Sequence, residues 1–186
     1  MWQRRRVVGV TIKRGVMQMH NEKGIQRGKE FEEIIKRDFL KVPDTAVERL
    51  PDPIQGYLGV RNPCDFLVYH YPNMYYIECK TTHSHRLPFT NITFNQRTLM
   101  LKASEVKGVV AGIIVWFIPM EKTYFIPIQL IEKYRLEGAK SLNLNKMDTS
   151  EWIEINGKKK RIFYDYDLEW FFNKCVLDKV AERKYI

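Results

Sequence analysis

Apolar and polar positions recur with different periods along the chain, and these periods separate helices from strands. Past residue 24, apolar residues follow a helical spacing in an imperfect stripe: Ile25, Phe31, Ile34, Ile35 and Leu40. Residues 109–118 form a ten-residue apolar run, which is too short to cross a bilayer and is typical of a buried strand. The pattern predicts helices over 25–40, 93–107, 129–136 and 165–184, strands near 46–50, 65–71, 74–81, 109–118 and 123–128, a loop over 140–148, and a hairpin formed by 151–155 and 161–164.

This order of elements predicts an α/β fold. Helices and strands alternate without the regular period of βαβ units, so we expect one mixed central sheet flanked by helices. The length of 186 residues suits a single domain. We expect residues 1–24 to form a basic N-terminal arm and residues 25–186 to form the domain.

The charge indicates a polyanionic partner. Lys and Arg number 31 against 22 Asp and Glu, which gives a net charge of +9, and basic side chains gain free energy by displacing counterions from nucleic acid. Residues 1–27 hold seven basic side chains, Arg4, Arg5 and Arg6 among them, and one acidic side chain. Lys158, Lys159 and Lys160 form a second cluster, which we expect at a hairpin tip beside Asn156-Gly157. Both clusters can also be read as solvated surface.

Cysteine and histidine usage excludes several kinds of site. The three cysteines have no CxxC spacing, so neither a disulfide framework nor a cysteine zinc site is expected, and a cytoplasmic protein fits best. His83 and His85 are two residues apart and could share a metal on one strand face, although solvated loop histidines are the simpler interpretation. No secretory signal and no membrane segment are expected.

One short motif brings two carboxylates and an ammonium group together. Glu78-Cys79-Lys80 ends an aromatic strand, so Glu78 and Lys80 share one face. A four-residue loop over 71–74 predicts that Asp65 pairs with Lys80 and that Leu67 pairs with Glu78. All three charged groups then lie on one face, and a slip of one residue would separate them. Two carboxylates can hold a hard cation such as Mg²⁺, but a cross-strand salt bridge is the alternative interpretation.

The motif and its surroundings resemble the PD-(D/E)xK nuclease superfamily, and within it the RecU-type Holliday junction resolvases. The resemblance extends over roughly residues 24–145. It lies in these segments: residues 26–32 (QRGKEFE), 65–66 (DF), 76–82 (YIECKTT), 87–92 (LPFTNI), Gln96, 112–117 (GIIVWF) and 140–141 (KS).

The resemblance implies a restriction-endonuclease-like fold and a homodimeric, Mg²⁺-dependent endonuclease that nicks four-way DNA junctions in recombination and repair, with Mn²⁺ as a possible substitute. It implies these roles: Asp65, Glu78 and the Cys79 carbonyl as metal ligands, Lys80 orienting the attacking water, Glu32 supporting the metal site, with Glu30 as the fallback, Gln96 near the water or the DNA backbone, and Arg27 and Lys29 on phosphate. The basic clusters at residues 4–6 and 158–160 would extend the DNA surface.

The chain departs from that family in two places. RecU-type resolvases carry a long insertion before the catalytic aspartate, a stalk that enters the centre of the junction, but only nineteen positions separate Ala46 from Asp65 here. In addition, Thr81, Thr93 and Asn95 replace residues that are typical of the family. Another PD-(D/E)xK endonuclease, of restriction, repair or phage type, therefore stays open. A non-catalytic protein that binds branched or duplex DNA is the alternative from another class.

Overall fold

The computed structural model describes residues 26–51 and 62–182 of the chain. Within these ranges the helices are α1 (26–39), α2 (Phe94–Ser104), α3 (Ile128–Leu136) and α4 (Leu168–Glu182). The strands are β1 (Thr45–Arg49), β2 (Phe66–His70), β3 (Asn73–Thr82), β4 (Arg86–Pro88), β5 (Val109–Phe117), β6 (Lys122–Pro127), β7 (Ser141–Asn143), β8 (Ile153–Glu154), β9 (Gly157–Lys159) and β10 (Tyr164–Tyr166).

Six strands form the central sheet in the order β1-β2-β3-β5-β6-β8. β3 and β5 run parallel, whereas the other neighbours are antiparallel. A parallel pair needs a long crossover, and α2 lies within the one from β3 to β5. This mixed sheet confirms the predicted fold class. The carboxyl ends of β3 and β5 meet at one edge, where the charged motif also lies.

Two apolar layers cover the sheet. One contains α1 and α4, where Phe31, Ile35 and Phe39 of α1 are buried at helical spacing against Phe171 and Phe172 of α4. The other contains α2 and α3, and these helices pack through residues that include Met100 and Ile131. None of the helices in 26–51 and 62–182 has both the length and the apolarity that crossing a bilayer requires.

The predicted register of β2 and β3 is wrong by two residues. Phe66 pairs with Ile77 and His70 pairs with Asn73, so the connecting loop has two residues, Tyr71 and Pro72. The four-residue loop was expected because proline cannot adopt the positive φ of the usual two-residue turns. A shift of two residues keeps each side chain on its face, because side chains alternate with a period of two.

The predicted hairpin of 151–155 with 161–164 is also wrong. β8 pairs with β6 at the edge of the central sheet, and β9 pairs with β10. Gly157 lies opposite Tyr166 rather than in a turn, and a Cβ there would lie 2.7 Å from the Asp165 carbonyl oxygen. Lys158 and Lys159 are therefore strand residues, and Lys160 begins the loop.

Two smaller differences concern element ends. The loop predicted over 140–148 contains the short strand β7, which pairs with β4. The last helix begins at Leu168, because the residues before it form β10. The predicted arm over residues 1–24 lies outside the described residues, so the domain boundary stays a prediction.

Candidate active site

Asp65 and Glu78 meet where β2 begins. Asp65 lies one residue before β2, and its backbone N–H donates to the Ile77 carbonyl at 3.1 Å. Asp65 Oδ2 accepts a hydrogen bond from the Cys79 N–H at 2.7 Å. The register of β2 with β3 excludes the predicted pair of Asp65 with Lys80, and Leu67 lies opposite Tyr76 rather than Glu78. The three charged residues of the motif are nevertheless brought together.

The Glu78 carboxylate is buried, and its two oxygens differ. Its side chain is fully enclosed, and Oε1 accepts hydrogen bonds from the Lys80 ammonium and from Gln96 Nε2, the latter at 2.6 Å. Oε2 has no hydrogen-bond partner among the described residues. A buried carboxylate oxygen without a donor is costly, so this oxygen is available to a ligand with positive charge.

Burial disfavours the ionised forms of both Asp65 and Glu78, and the charge of Glu78 adds to this effect at Asp65. Burial, followed by the charge of Glu78, raises the pKa of Asp65 to about 6, although the Cys79 N–H and Lys80 act in the opposite direction. Burial also raises the pKa of Glu78, against the effect of Lys80. For Lys80 burial acts to lower the pKa, but the charge and the hydrogen bond of Glu78 outweigh burial and raise it.

The start of α2 holds Gln96 against this carboxylate. Thr93 caps the helix, since its hydroxyl oxygen accepts from the Gln96 N–H at 3.2 Å while Gln96 Oε1 accepts from the Thr93 N–H at 3.0 Å. The Gln96 amide therefore uses its oxygen to fix the helix end and its nitrogen to fix Glu78. The Thr-x-x-Gln spacing is a capping-box signature that sequence reasoning did not use.

Glu32 approaches the site from the face of the sheet that α1 covers, opposite the face covered by α2. It belongs to α1, and its Oε2 accepts from Arg49 Nη2 at 3.0 Å. Its negative charge contributes to the raised pKa values of Glu78 and Cys79, which places it within electrostatic reach. Arg49 was missed by the sequence analysis; the signal was its place at the end of β1, next to the strand that leads from Asp65.

The donor set fits a hard divalent cation. Among the described residues no three His, Cys, Asp or Glu side chains form a ready metal cluster. Asp65 and the free oxygen of Glu78 supply carboxylates, and the Cys79 carbonyl points to the Asp65 side because both backbone groups of a strand residue face the same neighbour. Such a small set of protein oxygens is sufficient for Mg²⁺, because this ion usually keeps several of its water ligands.

The basic residues predicted to contact DNA have unequal surroundings. The Arg27 guanidinium packs over the Phe163 ring at 5.3 Å, and Lys29 is exposed. Lys158 is exposed, whereas Lys159 pairs with Glu121, and Lys160 pairs with Asp165 at 3.0 Å. Arg4, Arg5 and Arg6 lie outside the described residues.

Comparisons with known proteins place this chain in a family. No curated protein matches the chain significantly. Among solved structures, the Holliday junction resolvase Hjc of Archaeoglobus fulgidus, an archaeal hyperthermophile, is similar at 20% sequence identity over 55% of this chain and 78% of that chain, with a TM-score of 0.42. Residues 44–167, about two thirds of the chain, match the sequence profile of the family described as RecU: Recombination protein U. The chain therefore belongs to the RecU family of Holliday junction resolvases, nucleases that depend on a divalent metal.

Proposed function

We propose that the site formed by Asp65, Glu78 and Lys80 is the nuclease centre, and that it holds Mg²⁺, with Mn²⁺ as a substitute. The observation that carries this proposal is the buried Glu78 Oε2, which has no donor among the described residues and lies beside a second carboxylate. A structural salt bridge would have both oxygens satisfied. The cation would be held by Asp65, Glu78 and the Cys79 carbonyl, and it would neutralise phosphate charge and lower the pKa of a bound water.

The remaining side chains position the reactants. The Lys80 ammonium, anchored on Glu78 Oε1, presents its other protons to the attacking water or to a phosphate oxygen. Gln96 holds the same carboxylate oxygen from the helix side and orients Glu78. Glu32, paired with Arg49, supports the site electrostatically from α1.

We assign the DNA surface to the basic residues that border this edge. Arg27 and Lys29 on α1 and Lys158 on β9 would contact phosphates, with Lys159 and Lys160 exchanging their carboxylate partners for DNA. We also assign DNA binding to Arg4, Arg5 and Arg6, because their cluster of positive charge suits phosphates. Symmetric nicking of a four-way junction requires two active sites, so we propose a homodimer, which sedimentation equilibrium would test.

Cleavage assays with Mg²⁺ on a four-way junction, a fork and a linear duplex test this function. We expect nicking of the junction, and we expect Asp65→Asn to abolish nicking while DNA binding persists. Asp44→Asn is the matched control, because it removes the same charge from an exposed residue. Asp44 precedes Thr45, which pairs with His70 at the end of β2 away from Asp65. Equal cutting of all substrates would indicate a different PD-(D/E)xK nuclease, and binding without cutting would indicate a non-catalytic protein. An active Asp65→Asn variant would overturn the site assignment.

A further inference from the structure

Strands β4 and β7 form a two-stranded ribbon at the end of β3 where the candidate site lies. Thr82 is the last residue of β3, and its hydroxyl donates to the carbonyl of Arg86, the first residue of β4, at 2.8 Å. Lys80 lies two residues before Thr82, so the two side chains share one face of β3 and their Cα atoms are about 7 Å apart. The start of the ribbon is therefore held close to Lys80, on the face from which Lys80 projects.

The ribbon presents two basic side chains to solvent from one place. Arg86 lies opposite Asn143, and Leu87 lies opposite Leu142. Both leucines are fully buried, and since side chains alternate along a strand, Arg86 points away from this core and is exposed. After β7 the chain turns at once, because the Asn143 carbonyl accepts from the N–H of Lys146, which is also exposed, at 3.1 Å. Arg86 and Lys146 therefore flank the same asparagine.

The positive charge of the ribbon is not neutralised by carboxylates. Residues 79–104 and 138–147, which contain the ribbon, hold six basic side chains and no acidic one. In the described part of the chain, neither Arg86 nor Lys146 forms a salt bridge. By contrast, two of the three lysines at 158–160 are paired with carboxylates. The ribbon thus presents positive charge that can pair with an external anion.

We propose that Arg86 and Lys146 are substrate-positioning residues that hold phosphates of the DNA strand two to three nucleotides from the cut. The proposal rests on the proposed function of the site. Nucleotides of one strand advance by about 3.4 Å along the helix axis, so these phosphates lie about 7 to 10 Å from a scissile phosphate beside Lys80. Thr82, which holds the start of the ribbon, is about 7 Å from Lys80 along β3.

This contact would extend the DNA surface to the second face of the sheet. Arg27 and Lys29 belong to α1, whereas Leu87 and Leu142 of the ribbon pack in the layer of α2 and α3. Phosphate contacts fix the position of a strand without reading its bases. The two basic residues of the ribbon would therefore act on binding and alignment of the strand, and not on the chemical step.

The salt dependence of DNA binding tests this contact without cleavage. Binding of a four-way junction is measured in EDTA at several salt concentrations for wild type, Arg86→Gln, Lys146→Gln and the double variant. Arg86→Lys keeps the charge and serves as the conservative variant. Lys107→Gln is the matched control, because Lys107 is exposed and precedes Gly108, whose carbonyl accepts from the Met74 N–H near the opposite end of β3.

Each phosphate contact contributes about 0.9 to the slope of log K against log salt. We expect this slope to fall in magnitude by about one for Arg86→Gln and for Lys146→Gln, by about two for the double variant, and not at all for Arg86→Lys or Lys107→Gln. With Mg²⁺, the double variant should raise KM by about tenfold or more and keep kcat within about twofold.

The DNA partner is tested with junctions that carry one uncharged methylphosphonate linkage at each of three positions on either side of the cut. A linkage two or three nucleotides away should lower kcat/KM of wild type by about tenfold. The same linkage should cost the double variant nothing further, because the cations that contact it are already missing.

The positioning proposal is overturned if the double variant keeps the wild-type slope, if Lys107→Gln lowers the slope equally, or if the methylphosphonate loss multiplies with that of the double variant at every position. A wild-type chain that binds the junction but cuts no DNA with Mg²⁺ overturns the proposed function, and with it the positioning role. The two failures are distinguishable, because the slopes are measured in EDTA and the cleavage of wild type is measured separately.

Discussion

Two buried carboxylates, Asp38 and Glu78, face basic side chains in this protein, and their surroundings differ in one respect. Asp38 is fully satisfied: Arg37 donates to it at 2.8 Å, Lys41 lies 2.7 Å away, and the Tyr166 N–H donates to its other oxygen at 2.8 Å. Glu78 has donors on one oxygen only. The Asp38 carboxylate ties α1 to β10, whereas the Glu78 carboxylate is left with capacity for a ligand.

Each region contains a second carboxylate, and these two also differ in how well neighbouring basic groups compensate their charge. Around Asp38 the second carboxylate, Asp165, is held by Arg37 and Lys160, and hydrogen bonding to Lys160 lowers its pKa. Around Glu78 the second carboxylate, Asp65, has a raised pKa. The folded state therefore favours the charged form of Asp165 and disfavours the charged form of Asp65.

The largest expected effect is on cleavage. Glu78→Gln should lower the rate of junction nicking by about a thousandfold or more, because one cation ligand is lost and cation catalysis is worth several kcal/mol. The neutral amide oxygen still accepts from Lys80 and Gln96, so Tm in EDTA should not fall. Single-turnover nicking and thermal unfolding check both parts. A variant that loses rate and stability together would make Glu78 a structural residue like Asp38.

Asp38→Asn tests the other side of the comparison. It should lower the free energy of unfolding by about 2 kcal/mol, since the buried carboxylate loses its charge and one of its two oxygens becomes an NH₂ group that cannot accept a hydrogen bond. Nicking per folded molecule should stay within about twofold of wild type. Urea denaturation measures the first effect, and the second requires activity at a temperature where the variant is folded. A large loss of nicking at full folding would contradict the purely structural role.

The pH dependence of stability separates the two regions further. The pKa of Asp65 is raised from 3.8 to about 6 in the folded protein, so its protonated form favours folding. That contribution is complete below pH 3.8 and is lost as the pH rises through 6. Asp65→Asn should therefore be more stable than wild type by about 2 kcal/mol at pH 8 in EDTA, and the difference should shrink towards pH 4.

Urea denaturation of both proteins at several pH values measures this trend, with Asp44→Asn as the control for loss of one negative charge. A difference that does not change with pH would mean that Asp65 titrates normally in the folded chain. Mg²⁺ should stabilise wild type and leave Asp65→Asn nearly unaffected. Equal stabilisation of both proteins by Mg²⁺ would place the cation elsewhere.

The sequence predicted the main helices and the central strands with their faces, but not the short strands or the contacts between elements. Alternation along β3 placed Glu78 and Lys80 on one face, and the fold class followed from the order of elements. The position of Asp65 depended on a two-residue loop, Tyr71 and Pro72, that no local pattern predicted. At the end of α1, Leu40 was expected inward, but it is 56% exposed, and Phe39 is buried instead because it follows Phe31 and Ile35 at a spacing of four residues.

Long-range partners were the least predictable part of the site. Arg49 and Glu32 meet across seventeen residues of chain, and their pairing depends on how α1 lies over β1. Tyr166 was predicted to lie in the last helix, but it is a buried residue of β10 and its hydroxyl hydrogen-bonds with that of Thr123 at 3.0 Å. Local periodicity carries no information on such distances.

The smallest expected effect concerns Gln96, whose amide serves both a structural and a functional contact. Gln96→Ala should lower nicking by about tenfold, as loss of a residue that orients a metal ligand does, and should lower stability by about 1 kcal/mol through the helix cap. Thr93→Val is the matched control, since it removes the capping hydroxyl but leaves the amide free to hold Glu78. It should show a similar loss of stability and nearly full nicking. If Thr93→Val nicks as poorly as Gln96→Ala, the helix end positions the site and the hydrogen bond to Glu78 contributes little.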